Sequence, residues 1–287
     1  MTSTKLEDLV TLPDRASTAD RPFRIVILTH GGCEHFIDEI AQQPQIEVAG
    51  VILETLIQPR RNAFEKIRRS VRYDGWIGTL RKMPFLRSRR ADAVNPGTTS
   101  KSVADAAERN SIPYFTVDNF HKDSSIELLD SFQADLGVIW GTNIVKRSVF
   151  AAPRLGSVNL HQGHAPYYRG GPTVFWELMN NESEIGITVH FVEDKVDTGD
   201  IVAQMFMPLV YNWSIYGTGF EQFLDEIRSE LVSPSVKLMV KAVIAIANGS
   251  AERKKQNTSL GRRYRLPTYK EKELLRKQLK QRFAGTK

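Results

Sequence analysis

Residues 23–53 read FRIVILTHGGCEHFIDEIAQQPQIEVAGVIL, and this stretch decides the class of fold that the chain predicts. Phe23 to His30 is a short run rich in β-branched residues, which is typical of a buried strand, and two glycines follow it. Glu34 to Gln42 is typical of a helix, and Ile46 to Leu53 is a second apolar run. The stretch therefore predicts a β-α-β unit.

The same alternation continues beyond this unit. The sequence predicts a helix over Ser102 to Asn110, a strand over Pro113 to Val117, a helix over Ser124 to Phe132 and a buried strand over Leu136 to Trp140. Strands that alternate with helices indicate a parallel sheet that is covered on both faces. The predicted fold is α/β, Rossmann-like, with a mostly parallel sheet and helices on both faces.

Two further strands, Ser157 to His161 and Ile185 to Phe191, bracket a loop rich in glycine and proline. A helix over Thr173 to Asn180 follows that loop, and Ile201 to Pro208 is predicted as one more strand. A polar loop with this much glycine and proline has a defined shape, so it can form one wall of a site.

The domain organisation follows from changes in pattern. Residues 1–22 are polar and lack the apolar core of a secretory signal, so a disordered leader is predicted. Residues 23–208 are predicted as one main domain, with a lid-like insertion at about 54–99 that has its own helices. Residues 209–287 are predicted as a helical C-terminal extension with a basic tail; the helices read as Phe220 to Arg228, Pro234 to Asn248 and Thr268 to Phe283.

Composition limits the class of protein. The 287 residues are 41% hydrophobic and 25% charged, which is typical of a globular protein, and the single cysteine, Cys33, excludes an intramolecular disulfide. Val236 to Ala247 is too short to span a bilayer, so a cytoplasmic protein without a membrane partner is expected. The net charge is +6, and the segment from Arg60 to Arg90 contains eleven basic residues but only two acidic ones. Such patches attract anions, although solvated helix faces are the favoured interpretation.

Two polar side chains share one face of a predicted strand. Asn159 and His161 alternate with Val158 and Leu160, so their side chains point the same way, at the end of the strand where α/β sheets bind ligands. Asp197 lies in a turn-forming run, EDKVDTGD, between two apolar strands. A carboxylate there can orient an imidazole and favour its cationic form.

These residues carry a resemblance to a known family. The stretch GSVNLHQGHAPYYRGGPTVFWELMNNESEIGITVHFVEDKVDTGDIVAQ resembles the folate-dependent formyltransferases, which include methionyl-tRNA, glycinamide ribonucleotide and sugar N-formyltransferases. Asn-x-His, a Pro-x-Tyr-Arg-Gly loop and Asp-Thr-Gly occur here in the family's order. The resemblance is specific over Leu136 to Gln204, and fades in Glu54 to Thr99 and after Pro208.

The resemblance implies formyl transfer from 10-formyltetrahydrofolate to a primary amine, with Asn159, His161 and Asp197 as the catalytic residues. Asn159 and protonated His161 would donate hydrogen bonds to the developing oxyanion. Asp197 would orient His161 and relay the proton of the amine through water. The pterin would lie against main-chain groups of two loops, with the binding residues Gly141, Thr142, Asn143, Ile144, Val145, Val192 and Val196.

The acceptor is predicted to be a small, phosphate-bearing amine, with an amino-sugar nucleotide favoured because the basic patches suit phosphate. Its binding residues are predicted to be His164, Tyr168, Arg169 and Gly170. Gly163-His164-Ala165 stands where many relatives have Ser-Leu-Leu, so a serine hydroxyl is missing. Helices after Pro208, in place of the β-barrel of the tRNA enzymes, argue against nucleic acid as a partner, and a homodimer is compatible with the sequence.

Two other functions stay open at this point. A hydrolase would cleave formyl-folate with water, and a non-catalytic module would sense folate or bind RNA through its basic segments. A metal site at His161, His164 and His190 is not expected, because no acidic or cysteine ligand shares the spacing of a known motif. His190 is predicted to be a satisfied sheet histidine.

Overall fold

The computed structural model of the chain describes residues 9–10, 21–55, 63–86, 96–209 and 220–284. The strands are β1 (Leu9–Val10), β2 (Phe23–Thr29), β3 (Ile46–Glu54), β4 (Tyr114–Val117), β5 (Leu136–Trp140), β6 (Ser157–His161), β7 (Tyr168–Gly170), β8 (Glu184–Phe191), β9 (Ile201–Pro208), β10 (Arg253–Lys254) and β11 (Arg262–Tyr264). The helices are α1 (Glu34–Ile40), α2 (Ala63–Leu86), α3 (Pro96–Arg109), α4 (Asp123–Ser131), α5 (Arg147–Phe150), α6 (Phe175–Met179), α7 (Phe220–Glu230), α8 (Val232–Ala247) and α9 (Tyr269–Ala284), with a 3₁₀ turn at Thr258–Leu260.

Nine of these strands form one sheet in the order β1-β10-β9-β8-β6-β5-β2-β3-β4. Five neighbouring strands, β6, β5, β2, β3 and β4, run parallel. Beside β6 the sheet continues through β8, β9, β10 and β1, and each of these pairs is antiparallel. The predicted α/β fold with a mostly parallel, helix-covered central sheet is confirmed. The antiparallel edge is an addition that the alternation of strands and helices does not reveal.

The alternation of side chains along β2 explains why helices cover both faces. Ile25 and Ile27 lie in the larger hydrophobic cluster, which contains residues of α1, α3 and α8. Val26 and Leu28 point the opposite way, into a second cluster with residues of α4 and α5. All four are at most 1% exposed, and burying each such side chain stabilises the fold by roughly 1.5–3 kcal/mol.

The residues after Pro208 pack onto this same sheet. Phe220, Phe223 and Ile227 recur at helical spacing along α7, and they are buried in the larger cluster together with most of α8. The prediction of a helical C-terminal region is confirmed, and the two short strands β10 and β11 lie between its helices. These strands have two and three residues, which is too short for a pattern of period two to show in the sequence.

The insertion contributes one long helical segment, α2, interrupted at Gly75, where φ is 73° and ψ is 177°. The two halves contact each other across this break, since the Thr79 hydroxyl bonds to the Ser70 hydroxyl at 3.1 Å. A Cβ at Gly75 would lie 3.1 Å from the ring of Tyr269, so the break also lets α2 approach α9 closely.

Part of the predicted disordered leader is described. Leu9 pairs with Lys254 and Val10 with Arg253, while the Arg21 guanidinium donates to the Asp135 carboxylate at 3.0 Å. Strand β1 thus covers the edge of β10 that would otherwise be unpaired. The other leader positions lie outside the described residues. Among the helices that the structure describes, none is long and apolar enough to cross a membrane.

Candidate active site

Strand β6 presents Asn159 and His161 at the junction of the parallel and antiparallel parts of the sheet. Asn159 is paired with His190 of β8, and His161 with Thr188. Val158, which points the other way, is completely buried in the core. The apolar side chains thus fix the register of β6, and the two polar side chains face one cavity.

Asp197 is held by the backbone of β7. The amide N–H of Gly170 donates to Oδ2 of Asp197 at 2.7 Å. Gly170 has a φ of 76°, and a Cβ there would lie 2.6 Å from the carbonyl oxygen of Tyr264. Only glycine fits this position without a shift of the backbone, which explains the glycine of the Tyr-Arg-Gly loop.

The Asp197 carboxylate lies between two imidazoles. Its Oδ2 is 3.6 Å from Nδ1 of His161, and its Oδ1 is 3.4 Å from Nε2 of His190. Nε2 of His190 is also 3.4 Å from Nδ2 of Asn159. The structure therefore brings together the three predicted catalytic residues, and His190 lies beside them.

Burial sets the charge states in this cluster. It lowers the pKa of the His161 imidazole, while the Asp197 charge and the Tyr168 carbonyl act in the opposite direction. Burial by itself would raise the pKa of the Asp197 carboxyl, but the His190 and Gly170 hydrogen bonds and the nearby imidazoles hold that pKa well below its usual range. An ionised carboxylate thus faces a histidine whose burial favours the neutral form.

Both nitrogens of His161 face hydrogen-bond acceptors. Nε2 lies 2.6 Å from the Tyr168 carbonyl oxygen, and Nδ1 faces Asp197. Neutral His161 can satisfy only one of them, whereas a proton gained by the ring would be held by both. This geometry suits a group that accepts a proton during a reaction.

His190 is the residue that the sequence interpretation underrates. Its Nδ1 is 2.7 Å from the Phe191 carbonyl oxygen and carries the proton there, which leaves Nε2 between Asn159 and Asp197. Nε2 can accept from Asn159 when it is unprotonated and donate to Asp197 when it is protonated. Strand period alone cannot find this role, because it depends on the antiparallel pairing of β6 with β8.

One cavity of about 960 Å³ contains the cluster and both predicted folate loops. Ile144 is 64% exposed beside this cavity and offers an apolar surface to a ligand. The volume is at the upper end of small-molecule sites. Besides the four polar residues above, the predicted folate-binding residues that line it are Gly141, Thr142, Asn143, Ile144, Val145, Val192 and Val196.

The predicted acceptor residues divide between two places. Gly170 lines the catalytic cavity, but His164 and the Tyr168 ring line a separate cavity of about 550 Å³. The Tyr168 hydroxyl donates to Glu182 at 2.6 Å, and the Arg169 guanidinium donates to backbone carbonyls, including that of Gly261 at 3.3 Å. These side chains therefore brace the loop, and His164, Tyr168 and Arg169 do not join the catalytic cluster.

Two segments that the sequence interpretation did not assign to the site complete the cavity wall. Arg69, Arg72 and Tyr73 of α2 line it on one side, and residues 263–267 line it on another. No group of three or more histidine, cysteine and carboxylate side chains suited to a metal ion occurs within the described ranges.

The formyl transferase family matches residues 85–215, a span that includes Asn159, His161 and Asp197. This part of the chain is therefore similar to the formyl transferases, and it makes up less than half of the 287 residues. Methionyl-tRNA formyltransferase of Bacteroides thetaiotaomicron is 26% identical over 147 residues, which are 51% of this chain and 42% of that protein. The chain thus spans less than half of the length of this curated relative.

Solved structures of formyltransferases share the fold. Glycinamide ribonucleotide transformylase 1 from Symbiobacterium toebii has a TM-score of 0.52 at 17% identity, covering 79% of this chain and 89% of that one. The N-formyltransferase from Helicobacter canadensis, in complex with folinic acid and dTDP-3-aminofucose, has a TM-score of 0.51 at 18% identity and covers 84% and 70%. At these identities the likeness shows a shared fold and nothing beyond it.

Proposed function

We propose that the chain transfers a formyl group from 10-formyltetrahydrofolate to the primary amine of a small, phosphate-bearing acceptor, with an amino-sugar nucleotide favoured. The observation that carries this proposal is the convergence of Asn159, His161, His190 and Asp197 in one cavity with the loops at 141–145 and 192–197. Residues 23–208 form the catalytic domain in this proposal.

The cavity fits a folate in size and in chemistry. Its volume of about 960 Å³ leaves room for the donor and an acceptor together. The loop at 141–145 begins with Gly141 at a φ of 62°, which turns the chain sharply at the end of β5. The backbone groups of this loop and of the loop at 192–197 bind the pterin, and Ile144 packs against its ring.

In the reaction, a bond forms between the acceptor nitrogen and the formyl carbon, and the bond from that carbon to the folate nitrogen breaks. The acceptor amine loses a proton, and the folate nitrogen gains one. Asn159 donates its amide N–H to the formyl oxygen as negative charge develops there. Its contact with His190, at 3.4 Å, is long enough to be exchanged for a stronger bond to an oxyanion.

His161 and Asp197 manage the proton. His161 is neutral before the reaction, so it accepts the amine proton, directly or through water, and the resulting imidazolium is stabilised by Asp197 at 3.6 Å. The low pKa of Asp197 keeps its charge in place throughout. Protonated His161 then donates either to the oxyanion or to the departing folate nitrogen.

The decisive experiment is a screen of amines with 10-formyltetrahydrofolate that measures release of tetrahydrofolate. Its arms are an amino-sugar nucleotide, the corresponding free amino sugar, glycinamide ribonucleotide, methionyl-tRNA and water alone. Asn159→Ala should lower turnover by about a hundredfold or more while folate still binds. Asn248→Ala, which alters an exposed residue at the end of α8, serves as the control.

The result separates the alternatives. Turnover with the amino-sugar nucleotide supports the proposal, and turnover with methionyl-tRNA alone would move the acceptor to nucleic acid. Release of tetrahydrofolate in water alone would identify a hydrolase. Folate binding without turnover in any arm would refute catalysis and favour a folate-sensing module.

A further inference from the structure

The outer wall of the catalytic cavity is built by two segments that lie far apart in the chain. Arg69, Arg72 and Tyr73 come from the insertion helix α2, and Arg263 and Arg265 come from the strand β11 and the loop after it. Both segments lie where the resemblance to the formyltransferases fades. They also supply most of the basic side chains that line the cavity.

Helix α9 holds the α2 side of this wall in place. The Lys272 ammonium lies 3.3 Å from the centre of the Tyr73 ring, and it also donates to Glu221 at 2.8 Å. Lys272 is only 4% exposed, so this cation–π contact is well shielded from water. Gly75 lets α2 pass close to Tyr269, as described above. Helices α2 and α9 therefore pack directly against each other.

The segment at 263–267 is equally well anchored. Arg263 pairs with Arg169 in the short parallel sheet of β11 and β7, and the Trp176 indole donates to the Arg265 carbonyl at 2.9 Å. At the start of α9 the Glu271 carboxylate accepts from the Thr268 amide at 2.6 Å, which is half of a capping box. These bonds fix the backbone that carries Arg263.

The positive charges of the wall are unequally compensated. Both oxygens of Glu271 accept from the Arg265 guanidinium at 2.9 Å, so that charge is neutralised. Within the described part of the chain, neither Arg72 nor Arg263 has a carboxylate within ion-pair distance. Guanidinium groups bind phosphate through paired N–H donors, and two of them beside one cavity attract a polyanion.

We propose that Arg72 and Arg263 bind the phosphate groups of the acceptor, so that the insertion and the C-terminal segment together select the substrate. This inference rests on the proposed function for the reaction itself. The carboxylates of the folate tail are also anions that arginines bind, so the test must distinguish folate carboxylates from acceptor phosphates. In this proposal the amine end of the acceptor points inward to Asn159 and His161, and its phosphates stay at the mouth.

The test measures binding and does not require turnover. Inorganic pyrophosphate and UDP are titrated calorimetrically into the full chain preloaded with folinic acid, and folinic acid is titrated separately. The variants are Arg72→Ala, Arg263→Ala and the double variant. Arg68→Ala on α2 and Lys277→Ala on α9 are matched controls, because both side chains are exposed and do not line the cavity.

We expect the double variant to weaken pyrophosphate and UDP binding at least tenfold, each single variant by less, and the controls by less than twofold. Folinic acid should bind all variants equally. Loss of folinic acid affinity in the double variant would assign the arginines to folate and overturn the proposal. A wild-type chain that binds neither pyrophosphate nor UDP would also overturn it. If the proposed formyl transfer is wrong but this inference is right, the chain binds folinic acid and UDP normally and yet forms no formylated amine.

Discussion

Replacing Asp197 by asparagine removes one negative charge and keeps the shape of the side chain. The carboxylate lies 3.6 Å from Nδ1 of His161, and its side chain is 12% exposed. Two unit charges at that separation attract each other by about 4.6 kcal/mol at an effective dielectric constant of about 20. Relaxation of the partly open cavity reduces this value, so we expect about 2 to 3 kcal/mol of transition-state stabilisation to depend on the charge.

This loss corresponds to a decrease in kcat of about 30- to 150-fold. The pKa of His161 should also fall below its wild-type value, because the Asp197 charge acts to raise it. Turnover is measured as tetrahydrofolate release at saturating donor and amine, and the histidine titration is followed by NMR. Asp225→Asn is the matched control, since its carboxylate is 70% exposed, pairs with Arg228 and does not line the cavity.

The pH dependence of stability gives the same variant a second readout. The folded-state pKa of Asp197 is lowered, so its ionised form stabilises the fold above the unfolded pKa of about 3.9, and this contribution is lost as the pH falls toward the folded value. Wild-type chain should therefore lose more unfolding free energy than Asp197→Asn between pH 6 and pH 3 in urea. A folded variant with wild-type turnover and an unchanged acid profile would refute the role of this charge.

Two further substitutions test the support of the site. Gly170→Ala forces a Cβ to within 2.6 Å of the Tyr264 carbonyl oxygen at a positive φ. We expect the free energy of unfolding, measured by thermal denaturation, to fall by about 1 to 3 kcal/mol, and turnover to fall because the hydrogen bond to Asp197 shifts. Unchanged stability and turnover would contradict the assigned strain. Burial raises the pKa of Glu177 to about 7, so its proton is held more tightly in the folded chain and stability falls as the pH rises from about 4 to 8. Wild-type chain should lose about 3 kcal/mol more than Glu177→Gln over this range in denaturant titrations, and parallel profiles would contradict the prediction.

Local pattern was enough to predict most of the fold. Strands β5, β6 and β9 occupy the predicted residues, because their composition is imposed by burial and by the alternation of side chains. The pairing of β8 against β6 depends on contacts that only the folded chain makes, so the position of His190 beside Asp197 could not be deduced from spacing. The short strand β11 was missed for the related reason that its three residues are selected by pairing with β7.

The same distinction applies to the residues predicted to bind the acceptor, which do not all line the same cavity as Asn159 and His161. Asn159 and His161 reach the cavity because strand geometry leaves their side chains no other direction. The His164 ring instead packs against Tyr167 and Phe206, and the Arg169 guanidinium donates to backbone carbonyls of residues after Pro208. Arg169 is bonded to the Gly261 carbonyl, whereas Arg263 of the paired strand β11 lines the cavity. An arginine thus lines this part of the cavity wall, but it comes from a different segment than the motif predicts, because tertiary packing decides which side chain reaches the cavity.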